Sequence, residues 1–372
     1  MLRWAIERSG IDAIDLAGRF PQLPEWEHGD SHPTLKQVER FAKATHTAIG
    51  FLFLQDPPIE RVPIPDFRTI GDKKFERPSP DLLETLYICE QRQEWYRNFA
   101  RSVGEEKRAF VGSVRIQNSV INVAANIRHA LGFDLKERRQ MHTWAEALRR
   151  FIEQADNLGI LVMSSGVVLN NNRRKLKPDE FRGFTMADDL APLIFINGAD
   201  TKSAQMFTLA HELAHVWLGG SALSNADASA FPEHKTEQWC NEVAAELLVP
   251  IETFRSEYRK NAELRSETDR LARQFKVSTL VILRRIFDSG GISRERLWQE
   301  YKKEVQRLLA VPRGSGGDFY LTQSARVSKR FARALVASTL EGQTLHRDAF
   351  RMLGFSKLET FQELGRSLGV GI

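Results

Sequence analysis

Between residues 81 and 157 the apolar positions recur with helical spacing. Leu82, Leu86 and Cys89 lead to Trp95 and Phe99. Val120, Ile121, Ala124, Ile127 and Leu131 form a second stripe, and Trp144, Leu148 and Ile152 a third. Apolar residues three and four apart share one face of a helix, so these stripes read as core faces of helices. The period changes after Gly159. Short apolar runs at 160–163, 167–169, 181–186 and 193–197 are bounded by polar residues and glycine, and predict strands. Helical spacing then returns over 203–218, where Gly219-Gly220 stops it, and over 237–248, just before Pro250. The fold class that follows is α+β: a mostly helical, multidomain chain with a small sheet leading into two helices.

The ends of the chain are helical too. Residues 2–9, 11–19 and 34–45 read as short helices, giving a first domain over 1–54. Residues 55–80 are proline-rich, with Pro63-Ile64-Pro65-Asp66-Phe67-Arg68 at their centre, and read as an extended linker. A helical region covers 81–157 and the central domain 158–310. Within the latter, 271–286 has a helix-turn-helix rhythm, with Val277-Ser278 at the turn, Ser278 a good N-cap, and Arg284 and Arg285 on the second helix. Residues 311–317 form a glycine-rich linker, and 318–372 a small, mainly helical terminal domain with a short strand at 319–321.

Composition narrows the class. The chain has 372 residues, 42% of them hydrophobic and 27% charged, which is ordinary for a globular protein of two or three domains. Its two cysteines, Cys89 and Cys240, lack the spacing of a disulfide framework and read as free thiols in a reducing cytosol. No apolar run is long enough to span a membrane, and the first residues do not resemble a signal peptide. The expected location is the cytoplasm, without a membrane partner. A net charge of +5 is compatible with nucleic-acid contact without requiring it.

The candidate chemistry lies in His211-Glu212-Leu213-Ala214-His215. This is an H-E-x-x-H pattern on a predicted helix. Four residues are about one turn, so both imidazoles face the same way and can reach one zinc ion, with Glu212 placed to act on water. A catalytic zinc takes three protein ligands and keeps one open position. A third histidine at the long spacing found in some zinc peptidases is excluded, because position 221 is Ser221. The helix over 237–248 offers Glu237, Glu242 and Glu246. Trp239, Val243 and Leu247 mark its buried stripe, Glu237 shares the side of Asn241, Ala244 and Leu248, and Glu242 and Glu246, four apart, could both be solvated. Spacing favours Glu237 modestly and leaves His234 as a rival. For a further donor to the reacting carbonyl, His234 and Arg182 are the candidates.

Residues 207–215, followed by Glu237-x-x-Cys240-Asn241-x-x-Ala244-Ala245-Glu246-Leu247-Leu248-Val249-Pro250, resemble the ImmA/IrrE family of zinc metallopeptidases. Phe181-Arg182-Gly183-Phe184 and 191–197 resemble the approach to that motif. The resemblance covers about residues 150–290, with Val249 where the family usually has methionine. It implies a zincin-like core of the gluzincin kind, with zinc held by His211, His215 and Glu237 and with Glu212 as the catalytic base. It further implies a regulatory endopeptidase that cleaves a protein, a transcriptional repressor by analogy with relatives, in response to DNA damage, stress or phage; single-stranded DNA is a candidate signal.

Residues 26–34 resemble the turn and following helix of an Xre-type helix-turn-helix. The stretch before them is too short for a normal recognition helix, carries Pro21 and Pro24, and places Glu25 and Glu27 where phosphates would be met. The motif is degenerate. The alternative to a protease is thus a DNA-binding regulator or antitoxin-like module with a non-catalytic zinc site.

Overall fold

The computed structural model describes the chain apart from residues 61, 68, 71–72, 75–77, 225–233, 311–325 and 372. The linker at 311–317 and the strand at 319–321 expected from sequence therefore lie outside the described residues. The chain divides into two compact units. One contains Met1–Pro63 and Phe75–Tyr87, and the other contains Ile64–Lys74 and Ile88–Ile372.

In the first unit, helix α1 (Leu2–Ser9) ends at Gly10, whose φ of 62° is left-handed. Helix α2 (Ala13–Arg19) starts later than the apolar pattern suggests. The Asp12 carboxylate accepts the Ile14 N–H and fixes the first turn there. Helix α3 (Leu23–His28) occupies the stretch that the prolines seemed to bar. Pro24 falls in its first turn, where a missing N–H removes no helical bond. With six residues α3 makes less than two turns, and it buries Leu23 and Trp26. Helix α4 (Leu35–Ala44) begins with a capping box between Thr34 and Gln37. A small core of Ala5, Leu16, Phe20, Leu23, Trp26 and Phe41 joins these helices.

Among the described residues between 54 and 79, β1 (Thr69–Ile70) pairs antiparallel with β2 (Lys73–Lys74). Helix α5 (Pro80–Ser102) follows, then α6 (Val120–Leu131), α7 (Leu135–Gln140) and α8 (Trp144–Asn157). The buried stripe of α6 is Val123, Ala124, Ile127 and Leu131; Ile121, assigned to it from spacing, is exposed.

Four strands make a mixed sheet in the order β3-β5-β4-β6: β3 (Leu161–Ser165), β4 (Gly183–Met186), β5 (Leu193–Asn197) and β6 (Ala222–Ser224). β3 runs parallel to β5, and β4 runs antiparallel to both β5 and β6. β5 is buried along its whole length, which explains its unbroken apolar run. The strand expected at 167–169 is absent. Leu169 has a φ of 50°, and the chain turns back there so that the Val168 N–H donates to the Arg174 carbonyl. β6 was not foreseen; three residues without alternation give no strand signal.

Helix α9 (Lys202–Leu218) crosses this sheet, and α10 (Lys235–Leu248) packs beside α9. The approach to β4 requires Gly183. A Cβ at that position would lie 2.6 Å from Thr208 Cγ2 and 3.1 Å from Glu212 Oε1. Every residue of α9 from Gln205 to Trp217 is buried.

Helices α11 (Ile251–Glu257), α12 (Leu264–Phe275), α13 (Thr279–Asp288) and α14 (Arg294–Ala310) follow. Lys276 turns the chain with a φ of 52°, and Ser278 caps α13 by accepting the Val281 N–H. Arg285 points inward. It donates to Glu246 Oε2 at 2.6 Å and to the Val249 carbonyl at 2.9 Å, while Arg284 pairs with Asp288. Glu246 is accordingly buried rather than solvated: a carboxylate on a helix that is covered nearly all round finds its partner inside. Helices at Lys329–Leu340, His346–Leu353 and Leu358–Ser367 close the chain. They dock on α8 and α5 through Ser328 and Arg330, which donate to Asp156, and through Arg92, which donates to the Met352 carbonyl. No helix among the described residues is long and apolar enough to cross a membrane.

The buried Glu246–Arg285 pair makes a stability prediction. Arg285→Ala leaves a carboxylate in the core without its cation and should destabilise the protein by about 3 kcal/mol in urea unfolding. Replacing both residues with apolar side chains of similar volume should recover most of that loss. An unchanged unfolding midpoint in Arg285→Ala would contradict the role given to the pair.

Candidate metal centre

Three buried side chains meet at the crossing of α9 and α10. His211 and His215 project from one face of α9, and Glu237 from the first turn of α10. The two Nε2 atoms are 3.1 Å apart. Glu237 Oε2 lies 3.2 Å from His211 Nε2, and Glu237 Oε1 lies 2.9 Å from His215 Nε2. Ligands at 2.0–2.1 Å from a tetrahedral ion are separated by about 3.3 Å, so these atoms form a triangle of the size of one tetrahedral face. Although Oε1 is close enough to His215 for an ion pair, it accepts no directed hydrogen bond and is a buried acceptor without one. A donor set of two imidazoles and one carboxylate, with an acceptor aimed at no N–H, suits a zinc ion.

The ring of His211 is oriented from behind: its Nδ1 lies 2.9 Å from Asn241 Oδ1. A donating Nδ1–H places the free lone pair on Nε2, facing the triangle. Asn241 follows Glu237 by four residues, one turn further along α10. Sequence reasoning placed Asn241 beside Glu237 without giving it this task, although the i, i+4 spacing carried the signal.

Burial alone would lower the pKa of His211, but the Glu237 carboxylate, with Glu212 and the Asn241 bond, reverses this and holds it above the ordinary histidine value. Burial raises Glu237, and the two histidines more than reverse this, holding its carboxyl well below the usual carboxylate range.

Glu212 is fully buried between α9 and the sheet. The Thr185 hydroxyl of β4 donates to its Oε2 at 2.7 Å, and the Ser224 hydroxyl of β6 donates to Oε1. Burial lifts this carboxyl above the ordinary glutamate value, against the pull of both histidines and both hydroxyls. Thr185 and Ser224 had no signal in the sequence, because their roles depend on which strands pair.

The other sequence candidates lie elsewhere. His234 is exposed at the start of α10, with its ring 5.2 Å from that of Phe67. Arg182 approaches Asp200 at 3.7 Å. Glu242 takes a bond from Gln238 on the outer side of α10. Ser221 accepts the Ala187 N–H and so ties the end of β4. Among the described residues, His211, His215 and Glu237 are the only group of three with metal-ligating geometry.

Residues 155–287 match the model of the IrrE N-terminal-like domain, a peptidase family. The matched stretch runs from the end of α8 to α13 and contains the sheet, α9, α10 and every residue of the triangle. It supports the resemblance to the ImmA/IrrE family and points to a peptidase. Residues 327–367, the C-terminal helices, match a domain of unknown function (DUF8813). No curated protein matches the chain significantly.

Zinc binding should follow the histidine protons. Because His211 is held above its usual pKa, protons compete with the metal there, so affinity should fall as the pH drops through that raised value and recover above it. Asn241→Ala should weaken zinc about 10–100-fold by freeing the His211 ring. Competition with a chromogenic chelator measures both. An affinity independent of pH and of Asn241 would contradict this geometry.

Proposed function

We propose that this protein is a regulatory zinc-dependent endopeptidase. The observation that carries the reading is a fully buried glutamate, next in sequence to one member of a His-His-Glu triangle and held by two hydroxyls. A structural metal site has no use for such a group.

His211, His215 and Glu237 would hold the ion, which when bound supplies Lewis-acid polarisation of water and of the scissile carbonyl. Glu212 is the proton carrier. Each carboxylate oxygen has two acceptor sites, so one hydroxyl on each leaves room for a proton. Its raised pKa moves it toward the working range of a general base, so it takes the proton of the attacking water and returns it to the departing amine. Thr185 and Ser224 keep the carboxylate from rotating while the proton is held.

The substrate we infer is a transcriptional repressor or similar regulatory protein, cleaved in response to DNA damage, stress or phage. Support comes from the ImmA/IrrE resemblance and from the Xre-like segment at 26–34. In this reading DNA, including single-stranded DNA, is a candidate partner of the flanking helices.

Glu212→Gln keeps the size of the side chain and one of its two acceptors, makes the other hydroxyl the acceptor of an amide N–H, and removes the base. The variant should retain zinc and lose cleavage of a co-expressed repressor by 10²–10⁴-fold. Used as a trap, it should also retain the substrate in a pull-down. If zinc-loaded wild-type protein and Glu212→Gln capture the same partners and neither cleaves them, the non-catalytic regulator is the correct reading.

A further inference from the structure

The edge of the sheet beside Glu212 is paired by the chain itself. β6 adds to β4 with Ser224 opposite Gly183, which brings the Ser224 hydroxyl onto Glu212. The outer edge of β6 is paired in turn. The Leu223 N–H donates to the Pro65 carbonyl at 2.8 Å, and the Phe67 N–H donates to the Leu223 carbonyl at 2.9 Å. This is a parallel bridge centred on Asp66. The Phe67 ring then meets the His234 ring edge-on at 5.2 Å, and His234 is the residue from which α10 starts, three before Glu237. One run, Pro65-Asp66-Phe67, thus joins the sheet edge on the Glu212 side to the helix that carries Glu237.

Extended peptides bind to sheet edges through the same reciprocal backbone bonds. An edge strand left unpaired next to a peptidase site is where a substrate backbone can add. We propose that Pro65–Phe67 is an intramolecular strap in the place of an added substrate strand, keeping the site latent until it is displaced. This rests on the peptidase reading of the site.

Two features fit a strap rather than a permanent strand. Pro63 and Pro65 lack N–H groups, so the pairing cannot extend toward the N-terminus. The residues on both sides of the strap segment, Met1–Pro63 and Phe75–Tyr87, belong to the other compact unit. A ligand or partner acting on that unit is therefore linked through the backbone to both ends of the strap.

The test uses full-length protein carrying Phe67→Pro, which deletes the N–H donor and the ring together. Hydrogen exchange over β6 should speed up at least tenfold while α9 and α10 keep their protection. A fluorescent peptide copying residues 62–69 should bind Glu212→Gln/Phe67→Pro at least tenfold more tightly than Glu212→Gln alone. Zinc-loaded Phe67→Pro should cleave substrate faster than wild type, and the added peptide should slow it again. Phe67→Ala, which keeps the backbone bonds and loses only the ring contact, should shift exchange in the same direction by less, and serves if the proline variant does not fold. Unchanged exchange over β6, or equal peptide affinity with and without Phe67→Pro, overturns the strap. Peptide capture without cleavage by any zinc-loaded form supports the strap's position and counts against the peptidase assignment instead.

Discussion

Four ionisable side chains, His211, Glu212, His215 and Glu237, are buried in the larger unit, and the fold is built around supplying partners to them. A charged or polar group in such a place is costly unless it is paired. Here each side chain meets another member of the set or a hydroxyl or amide brought in by a neighbouring element, and Glu237 Oε1 is left without a directed donor. Asn241 serves His211, Thr185 and Ser224 serve Glu212, and the histidines and Glu237 serve one another. The close crossing of α9 over β4 makes this possible, and Gly183 permits the crossing.

The third ligand needs a rigid carrier, and α10 is fixed at its far end by arginines. Arg128 donates to the Glu246 carbonyl, Arg138 to that of Leu248 and Arg285 to that of Val249. These are the carbonyls that a helix leaves without internal partners at its C-terminus, where positive charge is also favoured. The helix-turn-helix rhythm of 271–286 has the same purpose. Its second helix is buried from Val281 to Ile286, and Arg285 is spent on α10 rather than directed to solvent.

Much of this was legible in the sequence because it rests on local periodicity. The spacing of His211 and His215 fixes their common face whatever surrounds them, and the apolar run at 193–197 reads as a strand. Pattern favoured Glu237 over Glu242 and Glu246 only modestly. Ten of the fourteen residues of α10 are buried, so amphipathicity no longer separates inside from outside, and Glu246 is buried by a partner 39 positions away. β6, the donors to Glu212 and the bridge at Asp66 are set by strand pairing between distant segments, which no short window contains. The backbone turn at Leu169 likewise overrode an apolar run that read as a strand.

The proposed peptidase requires that His211, His215 and Glu237 form an open metal centre with one position free for chemistry. X-ray absorption at the zinc edge of the purified protein tests it most directly. Four light-atom neighbours are expected at about 2.0–2.1 Å, two of them imidazole, with one non-imidazole neighbour exchanged by a small anion such as azide. Sulfur scattering at about 2.3 Å from Cys240, or a closed shell of four protein ligands that no anion displaces, would contradict it.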